Sequence, residues 1–358
     1  MKIAKFITSK HTFPYPKGKI FAPYDVADLL TRELLAQGHE VTWFAPKGTI
    51  TPAKLVDCDM LASSEDPRWN TAEPALTREI RLWSDSVFLS HLATQANEFD
   101  IIHFDSFSLA LPFARLMNGK PVVVTLHNPF DSEFVIEQTR VHADLKNIHY
   151  VSISDNQRLP NPEIQYIKTI YHGLELDKHP WTEKPGDRWL FAARIVPYKG
   201  AHTAIEIAQK AGIKLDIAGP VFDDPKNKEY FETQIKPHLD GEKIRYVGPI
   251  PREELFFHYY PAARGFLFPL EWEEPFGLTV IESLAAGSPV VCFPKGSMPE
   301  LIEDGKTGFL PKTVDEAVAA VKKIDQISRS YCRYVAEQRF STERVTKEYL
   351  EVFEQLTK

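Results

Sequence analysis

The chain of 358 residues is long for a single hydrophobic core, and its length predicts about two domains. Hydrophobic residues make up 43% of it and charged residues 25%, which is typical of a globular protein. The net charge of −7 at pH 7 gives no positive field that would attract a polyanion, so nucleic acid is excluded as the principal partner.

The beginning of the chain and its cysteines predict a cellular location. The first apolar run is broken by Lys5 and Lys10 and is too short for a secretion signal. No uninterrupted apolar stretch approaches the ~20 residues that a membrane-spanning helix needs. Cys58, Cys292 and Cys332 form no CxxC pair and are typical of buried thiols in a reducing compartment. We therefore expect a cytoplasmic protein without a transmembrane segment.

Short β-rich runs alternate with amphipathic helical patterns in the first half. The predicted strands are 3–8, 41–45, 101–104, 122–126 and 149–153. The predicted helices are 24–37, 73–97 and 108–117. Alternation at this spacing predicts βαβ units and a parallel, doubly wound sheet.

A polar segment with two prolines and a glycine, residues 178–189, interrupts the pattern and is predicted to be a linker. After it the predicted strands are 190–193, 214–218, 244–247, 266–270 and 290–293, and the predicted helices are 201–211, 228–238, 253–262, 278–286 and 314–324. The fold class is therefore α/β, with one Rossmann-like domain over 1–180 and another over 187–340. Such a pair predicts a ligand site in the cleft between the facing domains.

The segment EEPFGLTVIESLAAGSPVV, residues 273–291, carries two glutamates eight positions apart. Pro275 keeps Glu274 in a loop, Gly277 permits a sharp entry into a helix, and Glu282 falls just over one turn inside that helix. The first amides of that helix, those of Leu278 and Thr279, would face an anion.

Carboxylates accept hydrogen bonds from hydroxyls, so glutamates on both sides of a diphosphate favour a nucleotide sugar, with its ribose, diphosphate and hexose. Taken alone, Glu274 and Glu282 are explained equally well as solvated surface residues.

This segment resembles the E-x7-E signature of retaining nucleotide-sugar glycosyltransferases with the GT-B fold, in particular glycosyltransferase family 4. The resemblance extends through AARIVPYKG, YVGPI, GSMPELIEDGKTGFL and the strand-ending VVVTLH. It covers the second domain nearly throughout and the first more loosely. VSISDNQR, YHGLELD and WEEPFGL are similar to a bacterial branch that includes a glycosyltransferase of the avilamycin pathway.

The resemblance implies transfer of a hexose, glucosyl or mannosyl, from a UDP- or GDP-sugar to the hydroxyl of a carbohydrate, lipid-linked or small-molecule acceptor. The second domain would hold the donor and the first the acceptor. Arg194 and Lys199 would hold the donor diphosphate in place of a metal, since a leaving diphosphate needs positive charge. Glu274 would orient the hexose and Glu282 the ribose, while His127 would lie close to the reacting sugar or acceptor. Surface charge is the alternative for the two cations, and a structural role for the histidine.

The loop before the first helix departs from the family pattern. Family members usually carry two adjacent glycines there, whereas the loop FPYPKGKIFAPYDV offers only Gly18, to which we map the phosphate contact. The closing segment 341–358 has Val345, Tyr349, Val352 and Phe353 at helical spacing. The resemblance implies that this helix packs back on the first domain.

Other motifs are weaker. Asp57-Cys58-Asp59 spells the metal-binding D-x-D of a different glycosyltransferase fold, and we interpret it as loop acidity. Gly305-Lys306-Thr307 lacks the upstream glycine of a phosphate loop, and Ser297 with Glu300 predicts a capping box. Neither domain opens with G-x-G-x-x-G, which argues against a dehydrogenase. Two rivals remain: a GT-B-fold sugar-nucleotide epimerase and a non-catalytic, two-lobed sugar-binding protein.

Overall fold

The computed structural model describes residues 1–15, 22–69, 73–105 and 107–358. It divides the chain into two compact units, Met1–Gly173 with Thr342–Lys358, and Leu174–Ser341. Among the helices that these residues form, none combines the length and the apolar character needed to cross a membrane.

The segment 178–189, predicted as the linker, belongs to the second unit. Its carbonyl groups hold it there, because Arg333 donates to the carbonyl of His179 and Arg329 to that of Thr182. Hydrogen bonds from two buried arginines therefore hold this polar segment against the second unit. The composition of the segment alone does not predict these bonds.

The first unit is built on a seven-stranded sheet in the order β3-β2-β1-β4-β5-β6-β7, with every pairing parallel. The strands are β1 Lys2–Phe6, β2 Glu40–Phe44, β3 Lys54–Val56, β4 Ile101–Phe104, β5 Val122–Thr125, β6 Ile148–Ser152 and β7 Tyr166–Thr169. β4 and β5 are buried at every position, as expected of a parallel sheet covered on both faces.

Helices cover this sheet on both faces. They are α1 Ala22–Ala36, α2 Pro74–Thr94, α3 Phe107–Ala114, α4 Glu133–Val141 and the closing helix α13 Thr342–Thr357. The apolar stripe of α13, from Val345 to Phe353, joins a buried cluster with Ile3, Tyr24 and Val123 of the first unit. The last helix therefore completes the core of the unit that begins the chain.

The second unit has a six-stranded, fully parallel sheet in the order β10-β9-β8-β11-β12-β13. Its strands are β8 Arg188–Ala192, β9 Lys214–Ala218, β10 Ile244–Gly248, β11 Phe266–Phe268, β12 Val290–Cys292 and β13 Gly308–Phe309. Its helices are α5 Ala201–Ala211, α6 Pro225–Tyr230, α7 Arg252–Glu254, α8 Tyr260–Ala262, α9 Leu278–Ala285, α10 Met298–Leu301, α11 Val314–Val321 and α12 Arg329–Arg339, with π-helical turns at Phe231–Ile235 and Leu255–Tyr259.

The strand order reverses once in each sheet, between β1 and β4 in the first and between β8 and β11 in the second. In doubly wound sheets ligands bind beyond the carboxyl ends of the strands at such a switch point. The predicted pair of parallel, doubly wound sheets is confirmed, and each has one position suited to a site.

Candidate functional site

The switch point of the second unit brings together the charged residues predicted for the donor. Arg194 and Lys199 lie in the loop between β8 and α5, and Glu274 lies in the loop between β11 and α9. Because β8 and β11 are neighbours, both loops leave the same edge of the sheet. The ammonium of Lys199 contacts Oε2 of Glu274 as an ion pair.

This ion pair is nearly dry. The exposed fraction is 9% for the side chain of Lys199 and 13% for that of Glu274. Trp272 covers the pair, with its ring centroid 4.6 Å from Nζ of Lys199. Its indole Nε1–H donates to the same Oε2 of Glu274 at 2.9 Å. One carboxylate oxygen therefore takes both donors.

Burial lowers the pKa of Lys199, and the charge of Arg194 lowers it further, whereas Glu274 opposes the shift. Arg194 and Lys199 are close enough to affect each other, and Lys199 is paired with a single carboxylate, so the three charged groups carry a net positive charge. An anion that approached Arg194 and Lys199 would relieve that repulsion. Arg194 also lies over the ring of Phe222, 5.8 Å from its centroid.

Helix α9 begins at this edge in a conformation that requires glycine. Gly277, its N-cap, has φ +101°, and an added Cβ would lie 2.6 Å from Cε of Met298. The amides of Leu278 and Thr279 follow, and no acceptor in the described part of the chain bonds to them. Both residues are partly exposed, so these amides form a potential anion site beside the cations.

A loop after β12 fixes the backbone of Glu274. The amide of Ser297 donates to the carbonyl of Glu274 at 2.9 Å. Gly296 lies so close that an added Cβ would approach that residue's backbone N and O to 2.2 Å. The hydroxyl of Ser297 donates to the carbonyl of Phe276, so the predicted capping box is wrong. The hydroxyl of Ser297 donates to this buried carbonyl and does not cap its own helix, so Ser297 holds the loop before α9 in place.

Glu282 is buried one turn into α9, with 4% of its surface exposed, so its interpretation as a surface residue is wrong. Arg252 donates to its Oε1 at 2.9 Å through one guanidinium nitrogen and at 3.2 Å through Nε. The hydroxyl of Tyr260 donates to Oε2 at 3.0 Å. These three bonds leave part of the acceptor capacity of the carboxylate unused.

The first unit carries a second group of buried polar residues at its own switch point. Asp105, which follows β4, accepts from Nε2 of His127 at 2.8 Å. Its other oxygen lies 2.6 Å from the ammonium of Lys5 in β1. Burial opposes ionisation of Asp105, but Lys5, His103 and His127 outweigh it and hold the pKa of Asp105 well below its usual range. An ionised Asp105 only accepts, so His127 carries its proton on Nε2.

The network continues from Lys5 into the core. Nζ of Lys5 lies 3.0 Å from Nδ1 of His103, whose Nε2 lies 2.8 Å from the hydroxyl of Thr125. Burial, followed by the charge of Lys5, lowers the pKa of His103 to about 3. The ring is therefore neutral at pH 7 and accepts from Lys5 through Nδ1. Thr125 in turn bonds to the hydroxyl of Tyr349 in α13 at 2.8 Å. Sequence reasoning found His127 and missed Lys5, His103 and Asp105.

Gly18 lies outside the described residues. Asp59 of the D-x-D match pairs with Lys47 on an exposed loop. Within residues 1–15, 22–69, 73–105 and 107–358, no group of three or more His, Cys, Asp and Glu side chains is arranged to hold a metal ion.

The sequence matches two family models that together extend over most of the chain. "Glycosyl transferases group 1" matches residues 177–342, and "Glycosyltransferase Family 4" matches residues 26–205, just over half of the chain. The chain belongs to glycosyltransferase family 4. It is a glycosyltransferase.

A full-length relative of this family 4 glycosyltransferase is Spore coat protein SA of Bacillus subtilis, which is 24% identical over 99% of each chain. Among solved structures, AviGT4, a glycosyltransferase involved in avilamycin A biosynthesis, superposes with a TM-score of 0.67 at 19% identity, over 99% of this chain and 98% of that one. Alr3699/HepE of Anabaena, in complex with UDP and glucose, superposes with a TM-score of 0.71 at 15% identity, over 98% and 99%. The predicted GT-B fold is confirmed.

Proposed function

We propose that this glycosyltransferase moves a hexose, glucosyl or mannosyl, from a UDP- or GDP-sugar to an acceptor hydroxyl, with retention of configuration and without a metal. The observation that carries the proposal is the buried Lys199–Glu274 pair beside Arg194 and the amino end of α9. Cations and amides suit a diphosphate, and a carboxylate next to them suits the hydroxyls of a sugar. That Alr3699/HepE was solved with UDP and glucose supports the same assignment.

In the proposed reaction the bond between the hexose and the diphosphate breaks first, and the sugar acquires oxocarbenium character. Negative charge grows on the diphosphate, where Arg194, Lys199 and the amides of Leu278 and Thr279 stabilise it. Glu274 orients the hexose through its hydroxyls, and Glu282 accepts from the ribose. The acceptor hydroxyl then attacks on the face that the diphosphate leaves, and its proton passes to an oxygen of the departing diphosphate.

His127 of the first unit is assigned to the sugar or acceptor. Its Nε2–H is held by Asp105, so Nδ1 is the ring nitrogen that remains for a ligand. The chain therefore offers this second site one ring nitrogen whose position is fixed by the bond to Asp105.

A panel of UDP-glucose, GDP-mannose and the other common nucleotide hexoses tests the proposal. We expect one donor to release its nucleoside diphosphate. The transferred or newly hydrolysed sugar should have the same anomeric configuration as the donor, which the NMR signal of its anomeric proton reports. An epimer formed from the donor alone, with no diphosphate released, would establish the epimerase instead. Failure of every donor to turn over would leave a binding protein and end the proposal.

Metal independence follows from the two cations in this proposal and has its own test. With Arg194 and Lys199 on the leaving group, diphosphate release should keep its rate in EDTA. Loss of activity on chelation that Mn²⁺ or Mg²⁺ restores would show that a metal carries the charge.

A further inference from the structure

The side chain of Trp272 is placed to control which oxygen of Glu274 remains open. Oε2 accepts from the indole at 2.9 Å and also contacts Lys199. Oε1 has no hydrogen-bond partner in the described part of the chain. The two oxygens of one carboxylate are therefore in different states.

The loop that carries Glu274 restricts rotation of the carboxylate, so its two oxygens do not readily exchange positions. Ser297 and Gly296 fix the backbone of Glu274 from one side. Trp272 is itself held by packing, because its ring lies 5.1 Å from that of Tyr198, whose carbonyl accepts from the amide of Glu271. The indole N–H of Trp272 therefore donates to a glutamate two residues later in a loop whose backbone is held in place.

Lys199 alone would not define the orientation of the carboxylate. An ammonium is a compact charge on a flexible stem, and it attracts either oxygen equally. The indole donates along one fixed direction and has no acceptor. It is the group that distinguishes Oε2 from Oε1.

We propose that Trp272 is a positioning residue for the transfer reaction: its indole N–H holds Oε2 of Glu274 with Lys199, so that Oε1 is presented to a hydroxyl of the donor hexose. The proposal rests on the proposed function, in which Glu274 binds that hexose. It predicts that Trp272 acts on the sugar and not on the nucleotide.

Trp272→Phe tests it, because phenylalanine keeps a ring over Lys199 and removes the N–H. With the donor that turns over in the panel, UDP-glucose or GDP-mannose, we expect kcat to fall about 10- to 100-fold, as loss of a partner that orients a functional group typically does. The Kd for UDP or GDP alone should stay within about twofold, which also shows that the variant folds. Trp181→Phe, at a partly exposed tryptophan of the same unit, should leave both constants unchanged.

A double-mutant cycle identifies the route. The ratio of the Kd for the nucleoside diphosphate to the Kd for the nucleotide sugar measures what the hexose adds to binding. Trp272→Phe should reduce this ratio in the wild-type background and leave it unchanged when Glu274 is already Ala. Wild-type kcat in Trp272→Phe, or an equal loss in the Glu274→Ala background, would overturn the proposal.

A further measurement distinguishes failure of the proposed function from failure of the Trp272–Glu274 contact. If the wild-type protein turns over no donor, the proposed function falls. The indole ¹H–¹⁵N signal of Trp272, assigned through its loss in Trp272→Phe, then decides whether the residue holds Glu274. A shift of that signal in Glu274→Ala supports the contact, and an unchanged signal excludes it.

Discussion

The two glutamates of the family signature are held by different partners in this protein, and the difference predicts different roles. Glu274 shares one oxygen between a lysine and a tryptophan, next to Arg194. Glu282 contacts a partly exposed arginine, Arg252, and a buried tyrosine, Tyr260. The first glutamate therefore lies with the cations that we propose for the leaving diphosphate, and the second lies one helical turn inside α9.

Glu282→Gln is expected to weaken nucleotide binding. It removes a charged acceptor, and the loss of one charge-assisted hydrogen bond costs roughly 1.5–3 kcal/mol, which is about a 10- to 150-fold rise in the Kd for UDP or GDP. Isothermal titration of the nucleoside diphosphate measures it. Tyr260→Phe is the matched control, because it removes one donor to Glu282 and keeps the carboxylate, so its effect should be smaller. An unchanged Kd in Glu282→Gln would separate this residue from the nucleotide.

Buried histidines of the first unit make its stability depend on pH. Burial, followed by the charge of His127, lowers the pKa of His172 well below its ordinary value, and His103 is lowered to about 3. Below about pH 6.5 the unfolded chain takes up protons that the folded chain refuses, so the free energy of unfolding falls as pH falls. Each histidine contributes up to about 1.4 kcal/mol per pH unit until its folded pKa is reached.

His172→Gln should therefore reduce the slope of unfolding free energy between about pH 6 and pH 5 by one proton. Chemical denaturation at each pH measures the slope, and the exposed His91→Gln serves as control. This range lies above the pKa of ordinary carboxylates, so their titration contributes little. A slope equal to that of the wild type would show that His172 is protonated in the folded protein.

At the scale of elements, helix α9 is held at its carboxyl end by arginines of α12. Arg333 is 9% exposed and donates to the carbonyls of Ala285, His179 and Leu176 at 2.8–3.0 Å. A cation at the end of a helix also meets the negative end of its dipole. The position of α9, with its free amides and Glu282, thus depends on a side chain more than forty residues away.

Arg333→Met should destabilise the second unit by about 3 kcal/mol or more, because three buried carbonyls lose their donor. Denaturant unfolding measures the loss. Arg264→Met is the control, since the Arg264–Asp325 pair lies on the surface and such pairs contribute about 0–1 kcal/mol. Equal losses in the two variants would mean that Arg333 does not support α9.

Elements with a strong local pattern were predicted well from the sequence. The predicted helix 201–211 and strand 214–218 match α5 and β9 at both ends, because apolar periodicity and a following glycine mark them locally. The short strands β3, β7 and β13 were missed, as were α4 and α12. Arg329 and Arg333 are buried on α12, and two arginines on a buried helix face contradict the usual apolar stripe.

The same limit applies to the sites. Lys199 and Glu274 could be chosen as candidates because a family motif marks each of them, and the structure brings them into contact. Lys5 and Asp105 could not, since a lysine inside a β-strand looks like a solvated residue until a partner one hundred positions away accounts for its burial. Arg252 and Trp272 likewise could not be predicted as site residues from the sequence, because only the structure shows the carboxylates that they contact.

The two units share one arrangement of sheet and buried charges. Each unit has a parallel sheet whose order reverses once, and each reversal carries a buried pair of a lysine and a carboxylate, Lys5 with Asp105 and Lys199 with Glu274. In the second unit the lysine lies beside Arg194 and a helix amino end. In the first unit, His103 contacts the lysine and His127 contacts the aspartate. In the proposed function, the second unit takes the anionic leaving group and the first takes the acceptor hydroxyl.

In the proposed mechanism, Arg194 and Lys199 meet charge that develops on the diphosphate. Groups that bind ground state and transition state equally change KM alone, whereas groups that meet developing charge lower kcat. Removing one such donor typically costs about 2.7–4 kcal/mol, roughly a hundred- to a thousandfold in rate.

The decisive measurement is kcat for diphosphate release at saturating donor in Arg194→Ala, Lys199→Ala and the double variant. Each single variant should lose about a hundredfold or more, and the double variant should lose less than the product, because both cations act on the same phosphates. Arg194→Lys should recover only part of the rate, since a point charge does not reproduce the guanidinium fork. Wild-type kcat in both single variants would contradict this mechanism and place the stabilisation of the leaving group elsewhere.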